Sequence, residues 1–77
     1  MNSRIRNVVE DDTLSSLAVR FFVAVSLHDA METTWEDWGH LAGVSRASAH
    51  RAAVELQQAG LIKRTTALWG LPGWVIP

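Results

Sequence analysis

The hydrophobic positions between residues 34 and 62 follow two short helical patterns separated by a turn. The first pattern places Trp38, Gly39 and Ala42 on one face at helical spacing. In the second pattern, small and apolar residues recur on a single face, namely Ala49, Ala52, Ala53 and Leu56. Two short helices joined by a few residues form a helix-turn-helix motif, and we predict such a motif for this segment.

Capping residues mark the ends of both predicted helices. Thr34, with Asp37 three residues later, has the form of a capping box that begins the first helix. Gly43 can end that helix because glycine tolerates left-handed backbone. Ser45 follows almost at once and can cap the second helix by accepting a backbone N–H, and Gly60 is a suitable residue to end it. The spacing therefore predicts two helices joined by a short turn that contains a glycine.

The segment before the motif predicts a longer helix, from residue 12 or 13 to about residue 30. One narrow stripe of this helix holds Leu14, Leu17, Ala18, Phe21, Val25 and His28, and much of the remaining circumference is covered by Val19, Phe22, Val23 and Leu27. A helix that is apolar nearly all round is buried on more than one side. One side can pack on the helix-turn-helix, and the other needs either Ile5 with Val8 and Val9 or a second copy of the chain. We expect a homodimer that uses Val19, Phe22 and Val23.

Two extended segments near the C-terminal end predict a β-hairpin. Residues 61–67 have strand character, residues 68–73 contain glycines and a proline that favour a turn, and residues 74–76 form the returning strand. Residues 1–12 are polar and charged and predict a flexible N-terminal arm, which leaves residues 13–77 as one domain. The predicted fold class is mainly α with a small β-hairpin.

Composition and charge narrow the class of protein. The 77 residues are 48% hydrophobic and contain no cysteine, so the chain is not of a disordered type and can form neither disulfides nor thiolate metal sites. No apolar run is long enough to span a bilayer and no secretory segment is visible, so we expect a cytoplasmic protein. The net charge is −1, but residues 43–77 carry four cations against Glu55 alone. Positive charge thus accompanies the second helix and the hairpin, as DNA binding requires.

With the hairpin included, the chain resembles the winged helix-turn-helix domains of bacterial and phage transcriptional regulators. Residues 43–53, continued by Leu56 and residues 59–62, are similar to the recognition helix of GntR-type and MarR-type regulators and to the segment that follows it. Residues 71–74 are similar to the second strand of the wing. The resemblance covers about residues 13–77, and it implies a fold of three helices followed by a two-stranded wing.

The resemblance also implies a function, which is sequence-specific binding of double-stranded DNA by a small transcriptional regulator that needs no cofactor. It places a recognition helix at about residues 45–58 in the major groove. A helix N-terminus favours phosphate, and an arginine can bind guanine through two hydrogen bonds. The predicted DNA-binding residues are Thr34, Ser45, Arg46, Ser48, His50, Arg51, Lys63 and Arg64. Among them, His50 is either a base contact or a surface residue, and the two helix arginines have a solvated helix face as their alternative.

The predicted wing tip favours a second function, that of a protein-binding winged helix such as a phage-type inhibitor or adaptor. Residues 68–72 are apolar where the wings of DNA-binding relatives usually carry arginine or lysine. Exposed Trp69 and Leu71 would form a patch suited to a protein partner. We expect Trp35 and Trp74, in contrast, to pack in the core.

Catalysis and metal binding are not expected. The sequence has no cysteine nucleophile, no G-x-S-x-G motif and no phosphate-binding loop. His28, His40 and His50 fall at spacings that match no zinc motif. We therefore predict a binding protein rather than an enzyme.

Overall fold

The computed structural model describes Val8, Glu10, residues 12–65 and residues 70–77. Within these residues the chain forms three α-helices and one two-stranded antiparallel sheet. In chain order the elements are α1 (Ser16–Leu27), α2 (Trp35–Ala42), α3 (Arg46–Gln58), β1 (Lys63–Arg64) and β2 (Trp74–Val75). The predicted fold class, mainly helical with a small hairpin, is confirmed at this level.

Helix α1 is shorter than the apolar pattern predicts. It begins after Ser15, whose side chain accepts a hydrogen bond from the N–H of Ala18, whereas Asp12 and Thr13 lie in a turn. It ends at Leu27, and Ala30 has left-handed backbone with a φ of 61°, which a helix cannot contain. The prediction of a helix from residue 12 or 13 to residue 30 is therefore wrong at both ends, because capping and backbone geometry end the helix before the apolar pattern does.

The core lies where α1 packs against α2 and α3. Helix α1 buries Ala18, Phe21, Phe22, Ala24 and Val25. Phe22 is only 1% exposed within a single chain, so its assignment to a dimer contact is wrong: the side chain already packs in the core of its own domain. Val8, at 3% exposed, belongs to the same core, so one residue of the predicted arm is packed on the domain. Most of residues 1–12 lie outside the described residues.

The predicted caps of the two short helices are confirmed. The Oγ1 atom of Thr34 accepts a hydrogen bond from the N–H of Asp37 at 3.1 Å, and the Oγ atom of Ser45 accepts one from the N–H of Ser48 at 3.1 Å. Gly43 ends α2 in left-handed backbone with a φ of 70°. The carboxylate of Asp37 accepts a hydrogen bond from the hydroxyl of Thr33 at 2.7 Å, one residue before the cap.

The sheet is small but has pairing on both sides of β2. In the antiparallel pair, Lys63 lies opposite Val75 and Arg64 lies opposite Trp74. A further antiparallel bridge joins Glu32, between α1 and α2, to Gly73. The strands are shorter than predicted, and residues 66–69, which include part of the predicted turn, lie outside the described residues.

Candidate nucleic-acid interface

The inner face of α3 determines which of its residues face outwards. Ala49, Ala52, Ala53 and Leu56 are buried against the other two helices, as the sequence pattern predicts. Successive residues of an α-helix are about 100° apart around the helix axis. Four other residues of α3 therefore lie within about 30° of the direction opposite to the buried face. These outward residues are Ala47, Arg51, Val54 and Gln58, and all four are exposed. We call them the outward face of α3.

The turn before α3 depends on the absence of a side chain at Gly39. A Cβ atom at this position would lie 2.8 Å from the carbonyl oxygen of Val44, which is backbone of the turn. The N–H of Val44 in turn donates to the carbonyl of Gly39 at 2.9 Å. The backbone of the turn therefore occupies the space that a side chain at this position would need. Gly39 thereby sets the position at which α3 starts.

Three of the predicted DNA-binding residues form one hydrogen-bonded group at the start of α3. The hydroxyl of Ser45 donates to the hydroxyl oxygen of Ser48 at 2.9 Å, and a guanidinium nitrogen of Arg51 donates to the same oxygen at 3.4 Å. Ser45 and Arg51 are exposed and Ser48 is half-buried. The group keeps the guanidinium near the helix N-terminus through a long hydrogen bond, which a better acceptor could readily replace.

A shallow depression lies beside the start of α3. Its volume is about 410 Å³, and its lining comes from α2, the turn and α3: Glu36, His40, Val44, Ser45 and Arg46. Arg46 is exposed at this edge of α3, so its charge lies to the α2 side of the outward face.

A line of aromatic rings connects α3 to the sheet. The ring of His50 lies 4.8 Å from that of Trp35, and Trp35 lies 5.7 Å from Trp74. The guanidinium carbon of Arg64 lies 5.8 Å from the centre of the Trp74 ring. His50 and Arg64 are both exposed, so the line joins two polar side chains at the surface through one half-buried and one buried tryptophan. The expectation that Trp35 and Trp74 pack rather than bind a ligand agrees with this arrangement.

The remaining predicted DNA-binding residues are less closely joined to this surface. Side chains alternate between the two faces of a strand, so Lys63 extends from the face of the sheet opposite to that of Arg64. Thr34 is exposed next to Trp35, but its Oγ1 atom already serves as the cap of α2. The structure therefore brings Arg64 next to the aromatic line and leaves Lys63 on the other side.

Glu55 has a role that the sequence pattern does not reveal. Its two carboxylate oxygens accept hydrogen bonds from the N–H and from the hydroxyl of Ser15, each at 2.9 Å. Glu55 is half-buried, and its carboxylate contacts the start of α1 instead of extending freely from α3. Glu55 is the only acidic residue in positions 43–77, so this contact keeps that negative charge off the outward face of α3.

The predicted partner-binding residues are spread over the domain. Val19 and Val23 are half-buried on α1, Leu71 is 36% exposed, and Trp69 lies outside the described residues. Among the residues that the structure describes, three large apolar side chains that were not assigned to a site are more exposed than Leu71: Leu27 at 73%, Leu41 at 41% and Val54 at 39%. Leu27 follows Val19 and Val23 at helical spacing, so these three form one stripe along α1.

Within the described part of the chain, no helix has the length and apolar character needed to cross a bilayer. The same residues contain no group of three histidine, cysteine or acidic side chains placed to hold a metal ion. No family model, curated protein or solved structure matches the chain. The function of the chain is therefore inferred from its own residues.

Proposed function

We propose that this chain is a small winged helix-turn-helix transcriptional regulator that binds double-stranded DNA in a sequence-specific manner. The observation that carries the proposal is the outward face of α3, which has Arg51 near its centre and no acidic side chain. Arg46, Ser48 and His50 lie towards the edges of the same helix, between about 70° and 110° from the outward direction. In a DNA complex the centre of such a face meets base edges and its sides meet the phosphates.

The dimensions of α3 suit the major groove. The helix has 13 residues, which gives a length of about 20 Å, and an α-helix with side chains is about 10–12 Å wide. The major groove of B-DNA is about 12 Å wide and admits one α-helix. Because α1 and α2 cover only the inner face of α3, the outward face is free to enter the groove.

Each cation has a defined role in this proposal. Arg51 exchanges its long hydrogen bond to Ser48 for guanine, whose O6 and N7 atoms accept two hydrogen bonds from one guanidinium group. Arg46 binds phosphate beside the start of α3, and the free N–H groups there add to the attraction. Arg64 binds phosphate from the sheet, and its position against Trp74 limits the motion of its guanidinium group.

The proposal is tested by fluorescence anisotropy with labelled duplexes, first a random sequence and then a duplex enriched from a random library. We expect Arg51→Ala to weaken the enriched duplex by about 1–3 kcal/mol and to relax the preference for it over random DNA. Arg64→Gln should weaken both duplexes alike and reduce the dependence of log K on log salt by about 0.9. The matched control is Arg20→Gln, which removes one exposed positive charge from α1.

Lys63→Gln separates two versions of the interface. If only the Arg64 face of the sheet meets DNA, Lys63→Gln behaves like the α1 control. If Lys63 also binds phosphate, Lys63→Gln lowers the magnitude of the slope of log K against log salt by about 0.9. The slope would be about −3.6 per monomer if all four cations of the C-terminal half bound phosphate, and we expect a smaller magnitude because Arg51 binds a base. Unchanged duplex binding by both Arg51→Ala and Arg64→Gln would contradict the DNA proposal.

The second candidate function is that of a protein-binding winged helix. Exposed Leu71 next to the hairpin and the net charge of −1 favour it. An acidic partner protein would then neutralise the cations of α3 and the sheet. This function takes the place of DNA binding if the chain binds neither random nor enriched duplex at low salt.

A further inference from the structure

Val54 is an apolar side chain on the outward face of α3. It is 39% exposed, and valine is among the less favourable residues for the interior of an exposed helix. Neither the core nor the cap network of α3 uses it. In the proposed DNA complex, Val54 lies on the face of α3 that meets the base edges, so its apolar side chain would contact the bases.

The neighbours of Val54 define what it would meet. Arg51 lies three residues before it and Gln58 four residues after it, and Cβ atoms at these spacings are about 5–6 Å apart. Successive bases of a DNA strand are about 3.4 Å apart along the axis. A base contacted by Val54 is therefore one or two base pairs from the base contacted by Arg51.

Only one base in ordinary DNA offers an apolar group to the major groove, and that is thymine with its 5-methyl group. We propose that Val54 contacts the 5-methyl group of a thymine one or two base pairs from the guanine that Arg51 binds. This inference rests on the proposed DNA binding and extends it by naming the second base. The preferred DNA is then a duplex that contains a guanine and a methyl-bearing pyrimidine at this separation.

The test uses a duplex enriched from a random library and resynthesised with 2′-deoxyuridine in place of thymidine, one position at a time. Deoxyuridine pairs as thymidine does and differs only in lacking the methyl group. We expect one substitution to weaken binding about fourfold, which corresponds to the burial of about one methyl or methylene group. Substitutions outside the contacted base pairs should have no such effect.

The variant Val54→Ala tests whether Val54 is the residue that contacts the thymine methyl group. In this variant the wild-type preference for thymine over uracil at the sensitive position should fall towards one, because the shorter side chain does not reach the methyl group. Gln57→Ala is the matched control, since Gln57 is exposed on α3 but lies about 90° from the outward direction. It should keep the fourfold preference. A thermal melt of Val54→Ala checks that α3 remains folded, as alanine's higher helix propensity predicts.

Two results overturn the inference while DNA binding stands. In one, every uracil-containing duplex binds as tightly as the thymine duplex; in the other, Val54→Ala keeps the full preference for thymine. A different result, in which no duplex is enriched and none binds at low salt, contradicts the proposed function itself. The failure of the inference and the failure of the function are therefore distinguishable at separate steps of the same experiment.

Discussion

Replacing Gly39 with alanine has two opposite effects on the stability of the fold: a gain in helix propensity and a steric conflict with the turn. Alanine is favoured over glycine inside a helix by about 0.8–1.0 kcal/mol, so a free position in α2 would gain stability from the change. At Gly39 the new Cβ atom would lie 2.8 Å from the carbonyl oxygen of Val44 and 3.3 Å from the carbonyl carbon of Ser45. Both atoms belong to the backbone, so no flexible side chain can move aside.

The steric cost is expected to exceed the gain. Overpacking typically costs about 1–3 kcal/mol. A displaced turn also weakens the hydrogen bond from the N–H of Val44 to Gly39 and disturbs the Ser45 cap, at about 1 kcal/mol each. After the gain in helix propensity is subtracted from these costs, we expect Gly39→Ala to lower the free energy of unfolding by about 2–4 kcal/mol. For a domain of this size each kcal/mol corresponds to a fall of about 4–8 °C in Tm.

Thermal denaturation followed by circular dichroism measures the effect, with Ala47→Gly as the control. Ala47 is exposed on α3, so a glycine there meets no steric conflict. The change in Tm of this variant therefore measures the difference in helix stability between alanine and glycine in this chain. If Gly39→Ala raises Tm by about as much as Ala47→Gly lowers it, the new Cβ atom meets no steric conflict with the turn. At a temperature where both variants are folded, Gly39→Ala should also weaken DNA binding, because the turn that moves carries Ser45.

Four further predictions follow from single contacts. Ser45→Ala should cost about 1 kcal/mol and lower Tm by about 4–8 °C, whereas Ser45→Asn should retain most of the cap; an unchanged melt in the alanine variant would mean that α3 does not start here. Glu55→Ala should cost about 1–3 kcal/mol in urea denaturation because it removes both hydrogen bonds to Ser15, and a variant as stable as the wild type would contradict the pairing. Trp38→Phe should cost about 0.5–1.5 kcal/mol, measured in the same way, because the carbonyl of Pro72 loses the indole N–H and keeps only the N–H of Thr33 as a donor; equal stability would mean that the indole hydrogen bond adds nothing to the stability of the fold. Sedimentation at micromolar concentration should show a homodimer that Leu27→Glu dissociates, and a monomeric wild type would exclude the dimer.

The sequence alone determined the local features of the helix-turn-helix. Thr34 and Ser45 cap their helices, Gly43 ends α2 in left-handed backbone, and the inner face of α3 consists of the four residues that the spacing predicts. These features were predictable because each depends on groups within about four residues along the chain, where helix geometry limits the possible contacts. The pairing of the two C-terminal strands was also predictable, because strands that follow one another in the sequence usually pair.

Only the tertiary structure decided the features that join distant parts of the chain. The contact between Glu55 and Ser15 links residues 40 positions apart, and no local pattern distinguishes that carboxylate from one in solvent. Phe22 belongs to the core because α1 packs against both other helices, whereas the apolar pattern of α1 alone led us to assign it to a dimer contact. Val54 was predictable as a helix residue, but its place on the outward face depends on how α3 is held against α1 and α2. The burial of a residue depends on how all the helices pack together. The candidate DNA-binding face of α3 is therefore defined by which of its residues α1 and α2 cover.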